Sequence, residues 1–339
     1  MQHLTVYRET RRYAGWPANH GIWSWGDEIV VGFTIGFMDA DPLNVGGHPI
    51  DSDRGSRLVQ GRSVDGGLSW GIEELSLGGE ELATPKEHDF THPDFALKIV
   101  MSGGLSGGAS SVYYVSYDRA KTWEGPYEIP MFNLPGVAAR TDYQIFNQNE
   151  AMLFLTVAKS GGGQGRPCCV KTEDGGLSWR FVSFIGPEPP GYAIMPASVR
   201  LSDTEMLAMI RLKNGDLYWI DAYRSQDNGE SWQYLNTPAP STAGNPAALL
   251  KLSDGRLCVM YGYRSAPFGI RARISSDDGV TWTGEILLRT DGGDWDLGYP
   301  RAIERPDGNI VVAYYFNDDP ASERYIGATI FDPGKPMTR

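Results

Sequence analysis

The sequence predicts an all-β fold, a six-bladed β-propeller with four antiparallel strands per blade, and three observations carry that reading. A turn pattern closing on tryptophan recurs five times at near-constant spacing. Glycine (42) and proline (22) are abundant and no segment has the periodicity of a long amphipathic helix. The 339 residues divide into about six repeats with no remainder large enough for a second domain, so residues 1–339 read as one propeller.

The repeat is seen at Ser63–Trp70, Ser116–Trp123, Thr172–Trp179, Ser225–Trp232 and Ser275–Trp282, and its aspartates, Asp65, Asp118, Asp174, Asp227 and Asp277, are 53, 56, 53 and 50 residues apart. An aspartate there accepts from turn N–H groups, a glycine supplies positive φ, and the tryptophan covers the turn from the next strand. These aspartates are therefore structural. Ala120 stands where the other copies have glycine, which predicts one looser or differently twisted turn.

A propeller blade begins with a strand lining the axis. The candidates are the segments opening at Gly15, Thr91, Ala139, Ile194, Gly244 and Gly298, several followed by a hairpin signal such as Asn214-Gly215, Asp254-Gly255 or Asp307-Gly308. The last blade has no turn repeat and the chain ends early. The N-terminal run Leu4–Glu9, within residues 1–10, is expected to supply its fourth strand and close the ring.

Composition narrows the function. A net charge of −12, with 30 basic residues spread among 42 acidic ones, argues against nucleic acid or an anionic membrane as partner. A small basic pocket for an anionic sugar remains compatible with it. The three cysteines form no disulfide framework; Cys168 and Cys169 should face opposite sides of a strand, and Cys258 sits in an apolar run. With no signal-peptide pattern and no eighteen-residue apolar stretch, a cytoplasmic location is expected for a native full-length sequence. The oligomeric state is not readable.

The inner strands and their loops gather Asn19, His20, His92, Asp94, Arg140, Asp142, Tyr143, Asn245, Tyr299 and Arg301, polar side chains where an inert core would carry valine and alanine. His48, in the first-blade loop 44–54, is a candidate proton-transfer group, since imidazole titrates near about 6.5. All five histidines precede the second turn repeat, and four of them, His20, His48, His88 and His92, fall near candidate inner strands or their loops. The run from His88 to Asp94 matches no strong metal motif. No cofactor is expected, although loop carboxylates leave room for a structural Ca²⁺.

The Ser/Thr-x-Asp-x-Gly-x-x-Trp element resembles the Asp-box of sialidases and related propellers, and the resemblance runs from Trp16 to Tyr315. It implies that Tyr299, opening the last blade, is the nucleophile or stabiliser. It also implies that Asp51 or Asp53 is the acid, and that an arginine clamp drawn from Arg140, Arg211, Arg264, Arg271 or Arg301 binds a carboxylate bidentately. Two positions depart from the family: Gly15-Trp16-Pro17 replaces its Arg-Ile-Pro, and Ala193–Ser198 lacks its glutamate. The resemblance implies an exo-glycosidase for a terminal, acidic sugar of the sialic or uronic type. A histidine-dependent polysaccharide lyase, a rhamnosidase-type propeller enzyme, and a carbohydrate-binding propeller without catalysis are the alternatives.

Overall fold

In the computed structural model, which describes residues 1–43, 47–79, 81–241 and 243–334, the chain is an all-β six-bladed propeller. Its sheets fall into two compact units, Met1–Leu75 with Ser241–Arg339, and Ser76–Pro240.

The first unit holds three sheets. In blade one, Arg12–Gly15 and Ile22–Trp25 pair with the two ends of Glu28–Phe37, which continues to Arg57–Ser63 and Gly71–Glu74. The two short strands are one inner strand interrupted by the one-turn helix Pro17–His20, with Trp16 in the left-handed region at φ 61°. Blade five runs Ala247–Lys251, Leu257–Tyr263, Gly269–Ser275, Ile286–Arg289. Blade six runs Gly298–Glu304, Ile310–Phe316, Tyr325–Phe331, and its fourth strand is Gln2–Tyr7.

The expected closure is present, displaced by two residues toward the N-terminus: Gln2 pairs with Ile330 and Leu4 with Ala328. The next segment then adds a parallel bridge from Tyr13 to Arg324. Between blades five and six lies an apolar core including Cys258, Met260, Ile310, Val312 and Tyr314.

In the second unit, blade three (Val137–Ile145, Ala151–Val157, Arg166–Thr172, Arg180–Phe184) and blade four (Tyr192–Arg200, Met206–Asn214, Leu217–Ser225, Gln233–Ala239) have four strands each. Blade two has only Ala96–Ser102, Ser110–Ser116 and Glu124–Glu128. The inner strand expected at Thr91–Phe95 is instead a turn, closed by Phe95 N–H donating to the His92 carbonyl at 3.0 Å. The edge left open is capped by side chains of blade three. Ile99 N–H donates to Thr141 Oγ1 at 3.0 Å and Leu97 N–H to Tyr143 Oη at 3.4 Å, so hydroxyls replace the missing backbone ladder.

The five turn repeats share one hydrogen-bond pattern. In the first, Gly67 N–H donates to Ser63 Oγ at 2.8 Å, while Asp65 accepts from Ser63 Oγ at 2.7 Å, Ser69 N–H at 2.9 Å and Ser69 Oγ at 2.5 Å. The carboxylate is consumed inside its own turn. The second repeat is not the looser turn expected. Arg119 and Ala120 take φ 63° and 59°, and Ala120 N–H still reaches Ser116 Oγ at 2.9 Å, so the hydrogen bonds impose the left-handed pair on a residue with a Cβ.

All three cysteines are buried free thiols. As alternation requires, Cys168 enters the apolar cluster containing Phe95, Tyr113 and Leu153, and Cys169 the one containing Met206 and Ile210. Among the described residues no helix is long and apolar enough to cross a membrane.

Deleting residues 1–9 removes the fourth strand of blade six together with the buried side chain of Val6. The loss should be on the order of 3 kcal/mol, read as a lower urea midpoint. An unchanged midpoint would show that the strand pairing contributes nothing.

Candidate active site

Asp296 organises the polar centre of the first unit. It follows the loop Asp291–Trp295 that leads into blade six, and its carboxylate has no exposed surface to speak of, at 1%. Four side chains donate to it. Oδ1 accepts from His48 Nδ1 at 2.5 Å and from Tyr315 Oη at 2.7 Å; Oδ2 accepts from Arg324 Nε at 3.0 Å and from Tyr13 Oη at 3.3 Å. Burial pushes the carboxyl up, but the hydrogen bond and charge of His48, with Arg264 and Arg324, outweigh burial and hold it at about 2. Asp296 is thus an ionised acceptor with no proton to give.

That fixes the imidazole. Nδ1 of His48 must carry the hydrogen it shares with Asp296, leaving Nε2 as the outward atom of a side chain 30% exposed. Around the ring stand Trp16, edge-on with centroids 5.2 Å apart, and Trp295 at 5.7 Å. Burial and the Asp296 charge keep the phenols of Tyr13 and Tyr315 far above their ordinary range, so both serve as neutral donors.

Arg324 is tied on every side. Besides Asp296 it donates to Asp294 Oδ2 at 2.9 Å, the Pro320 carbonyl at 3.1 Å and the Ser322 carbonyl at 2.8 Å. Arg264 is equally buried but differently placed. Its Nε donates to the Leu297 carbonyl at 3.0 Å and its Nη2 to Tyr315 Oη at 2.5 Å, and among the described residues no carboxylate forms an ion pair with it. Burial alone would lower its basicity; the oxygens of Tyr315, Tyr299 and Asp296 outweigh that and raise it.

Tyr299 lies beside this cation, its ring 5.4 Å from the Arg264 guanidinium and edge-on to Tyr315 at 5.8 Å. Its backbone is left-handed, φ 49°, immediately before Pro300, a conformation that costs about 1–3 kcal/mol and needs outside support. Asn245, fully buried, supplies it: Oδ1 accepts from Tyr299 N–H at 2.7 Å and Nδ2 donates to the Leu297 carbonyl at 2.8 Å. A Cβ at Gly298 would lie 2.3 Å from Asn245 Oδ1, which reserves that position for glycine.

Packing disfavours any side chain at Gly15, the position that departs from the Arg-Ile-Pro of the resemblance. A Cβ at Gly15 would lie 2.7 Å from Cε1 of Tyr13, the ring whose hydroxyl serves Asp296.

The other expected residues of this unit touch protein. His20 Nε2 meets Thr34 Oγ1 at 2.8 Å, and Arg301 Nη2 donates to the Ala18 carbonyl at 3.0 Å in the one-turn helix that includes Asn19. Asp51 accepts from Asp53 N–H at 3.0 Å and Arg54 N–H at 3.3 Å, capping a short 3₁₀ turn on which Asp53 is exposed. Residues 44–46 of the same loop lie outside the described residues. Arg271 pairs with Glu285 and stacks on Tyr263.

In the second unit, Asp142 accepts from Ser198 Oγ at 2.6 Å, on an inner strand that also carries the buried Arg140. Arg211 donates to Tyr192 Oη at 3.0 Å and to Met195 Sδ at 3.3 Å. His92 Nδ1 accepts from Asp94 N–H at 3.2 Å, and Asp94 pairs with Arg119 of the second turn repeat at 2.6 Å. His88 meets Tyr117 Oη at 3.2 Å, and burial lowers its pKa to about 4. Among the described residues no group of three or more His, Cys, Asp or Glu side chains is placed to hold a metal ion.

Residues 90–312 match the model of the BNR repeat-like domain. The chain belongs to that family. Among solved structures it is similar to a protein of unknown function from Dyadobacter fermentans, at 24% identity and TM-score 0.75 over 97% of both chains. It is also similar to the NanB sialidase of Streptococcus pneumoniae, at 14% identity and TM-score 0.63 over 97% of this chain and 70% of that one. An α-L-arabinanase of Penicillium chrysogenum aligns at 14% identity and TM-score 0.60 over 97% and 99%. A search of curated proteins gives no match. The fold is therefore that of glycoside-hydrolase propellers.

The sequence reading missed Asp296, Arg324, Tyr13, Tyr315 and Trp295. The Asp294-Trp295-Asp296 triplet just before Gly298-Tyr299 was a usable signal, an acidic pair flanking an aromatic residue at the mouth of an inner strand.

Because Asp296 titrates at about 2 rather than its ordinary 3.8, its stabilisation is complete above the ordinary value and fades as pH falls toward 2. Asp296→Asn should cost on the order of 3–5 kcal/mol at neutral pH, by leaving Arg324 without one of its anions, and should flatten that acid limb in a urea titration across pH. An unaltered acid limb would contradict the network.

Proposed function

We propose that the protein is a glycoside hydrolase acting on a terminal acidic sugar, with His48 as its proton-transfer residue. The observation that carries this reading is the outward Nε2 of an imidazole whose Nδ1 is fixed on a buried, ionised Asp296, between two indoles. A carboxylate behind an imidazole sets its tautomer and stabilises the imidazolium, the arrangement that general acid–base catalysis requires.

In the proposed reaction the imidazolium gives its Nε2 proton to the glycosidic oxygen as the bond from that oxygen to the anomeric carbon breaks, the electron pair leaving on oxygen. Neutral Nε2 then takes a proton from water, whose oxygen bonds to the anomeric carbon. Tyr299 is the candidate nucleophile or stabiliser beside it. Arg264, a buried cation without a carboxylate partner among the described residues, is suited to the sugar's acid group. The sialidase and arabinanase named above support a carbohydrate substrate.

A second reading, β-elimination from a uronate, draws on the same pairing of arginine and imidazole. Nε2 would remove the proton at C5, the C4–oxygen bond would break with its electrons, and a C4–C5 double bond would form.

Turnover of aryl sialosides, aryl glucuronides and aryl arabinosides tests the hydrolase, and the ultraviolet absorbance of an unsaturated uronate tests the lyase. On any substrate turned over, His48→Asn should lower kcat by about 10²–10⁴-fold. A His48→Asn protein with wild-type kcat would overturn the assignment.

A further inference from the structure

Trp295 is 40% exposed, yet both of its chain neighbours are locked. On one side, Asp294 N–H donates to Asn317 Oδ1 at 2.8 Å and Asp294 Oδ2 accepts from Arg324 at 2.9 Å. On the other, the Asp296 carbonyl accepts from Asn317 Nδ2 at 2.9 Å, and Asp296 N–H returns to Asp294 Oδ1 at 2.6 Å. Asn317 and Arg324 are buried. A large apolar side chain held out to solvent by a loop hydrogen-bonded on both sides of it is an arranged surface, because nothing in the loop would prevent a looser segment from folding it inward.

What borders the indole defines the ligand. The Arg264 guanidinium lies 5.2 Å from its ring centroid, the His48 ring 5.7 Å, and on the other flank of His48 stands Trp16, itself held in the left-handed region. An apolar peptide side chain would satisfy the indole and leave the cation and the imidazole unanswered. A simple carboxylate would do the reverse. A pyranose bearing a carboxylate answers both, with one face of C–H groups for the indole and one anion for the guanidinium.

We propose that Trp295 is the stacking platform of a binding subsite for an acidic pyranose of the hexuronic type, a specificity element resting on the hydrolase reading above. The platform contributes to binding of the ring and takes no part in proton transfer. Its loss should raise KM and Kd while leaving kcat largely in place.

Calorimetric titration with D-glucuronate, and with a neutral methyl glucoside as control, tests this on the wild type, Trp295→Ala, Trp295→Phe and His48→Asn, after circular dichroism establishes that each is folded. Glucuronate should bind the wild type more tightly than the glucoside. Trp295→Ala should weaken it about tenfold, equivalent to about 1.4 kcal/mol, and Trp295→Phe less, since a smaller ring still stacks. His48→Asn should keep binding. Equal affinity in the wild type and Trp295→Ala, or no glucuronate binding by the wild type, overturns the platform. A His48→Asn protein with wild-type turnover overturns the role of His48 and leaves the platform standing, whereas absence of turnover on every aryl glycoside with glucuronate binding intact overturns the hydrolase reading alone.

Discussion

A buried carboxylate that collects four donors is the constraint on which the candidate site depends. Asp296 could not remain ionised without them, since removing a charge from water costs several kcal/mol. Arg324 and His48 supply the opposite charge and the two tyrosines the remaining hydrogen bonds. The four donors come from three parts of the first unit: Tyr13 from the first inner strand, His48 from a later loop of blade one, Tyr315 and Arg324 from blade six. The same carboxylate therefore ties chain segments together and aims one imidazole.

The division of labour among charges follows from how completely each is satisfied. Arg324 directs four of its five N–H groups at two aspartates and two carbonyls and is buried among them. Arg264, joined to the same carboxylate through Tyr315, has only neutral acceptors among the described residues. The Asp296 charge nearby keeps this buried cation protonated without pairing with it directly, which leaves it able to meet an anion. The left-handed backbones of Trp16 and Tyr299, each before a proline, are further strain at the same place, and Asn245 holds the second of them.

The scaffold was legible because its determinants are local. Asp65 and its four counterparts make their hydrogen bonds within five residues, the Asp-Gly and Asn-Gly hairpins are dipeptides, and the opposite faces of Cys168 and Cys169 follow from strand alternation alone. Closure by the N-terminal strand was legible from what the last repeat lacked. The missing inner strand of blade two was not, because Thr141 and Tyr143 satisfy its edge from another blade. The site was half legible. Tyr299, His48 and Arg264 were reachable as residue types near inner strands. Asp296 lies 248 residues from His48 and carries no motif, so only the folded chain pairs them. Asp51 and Arg271 were drawn in by family position, and their polar atoms turn out to cap a turn and pair with Glu285.

The central claim is that Asp296 holds His48 with its hydrogen on Nδ1 and its lone pair on Nε2. Long-range ¹H–¹⁵N correlation spectra of the His48 imidazole, recorded across pH on ¹⁵N-histidine-labelled protein, read that tautomer directly. Neutral His48 should show a protonated Nδ1 and a pyridine-type Nε2, and Asp296→Asn should disturb this pattern. A neutral ring protonated on Nε2, unaffected by Asp296→Asn, would contradict it.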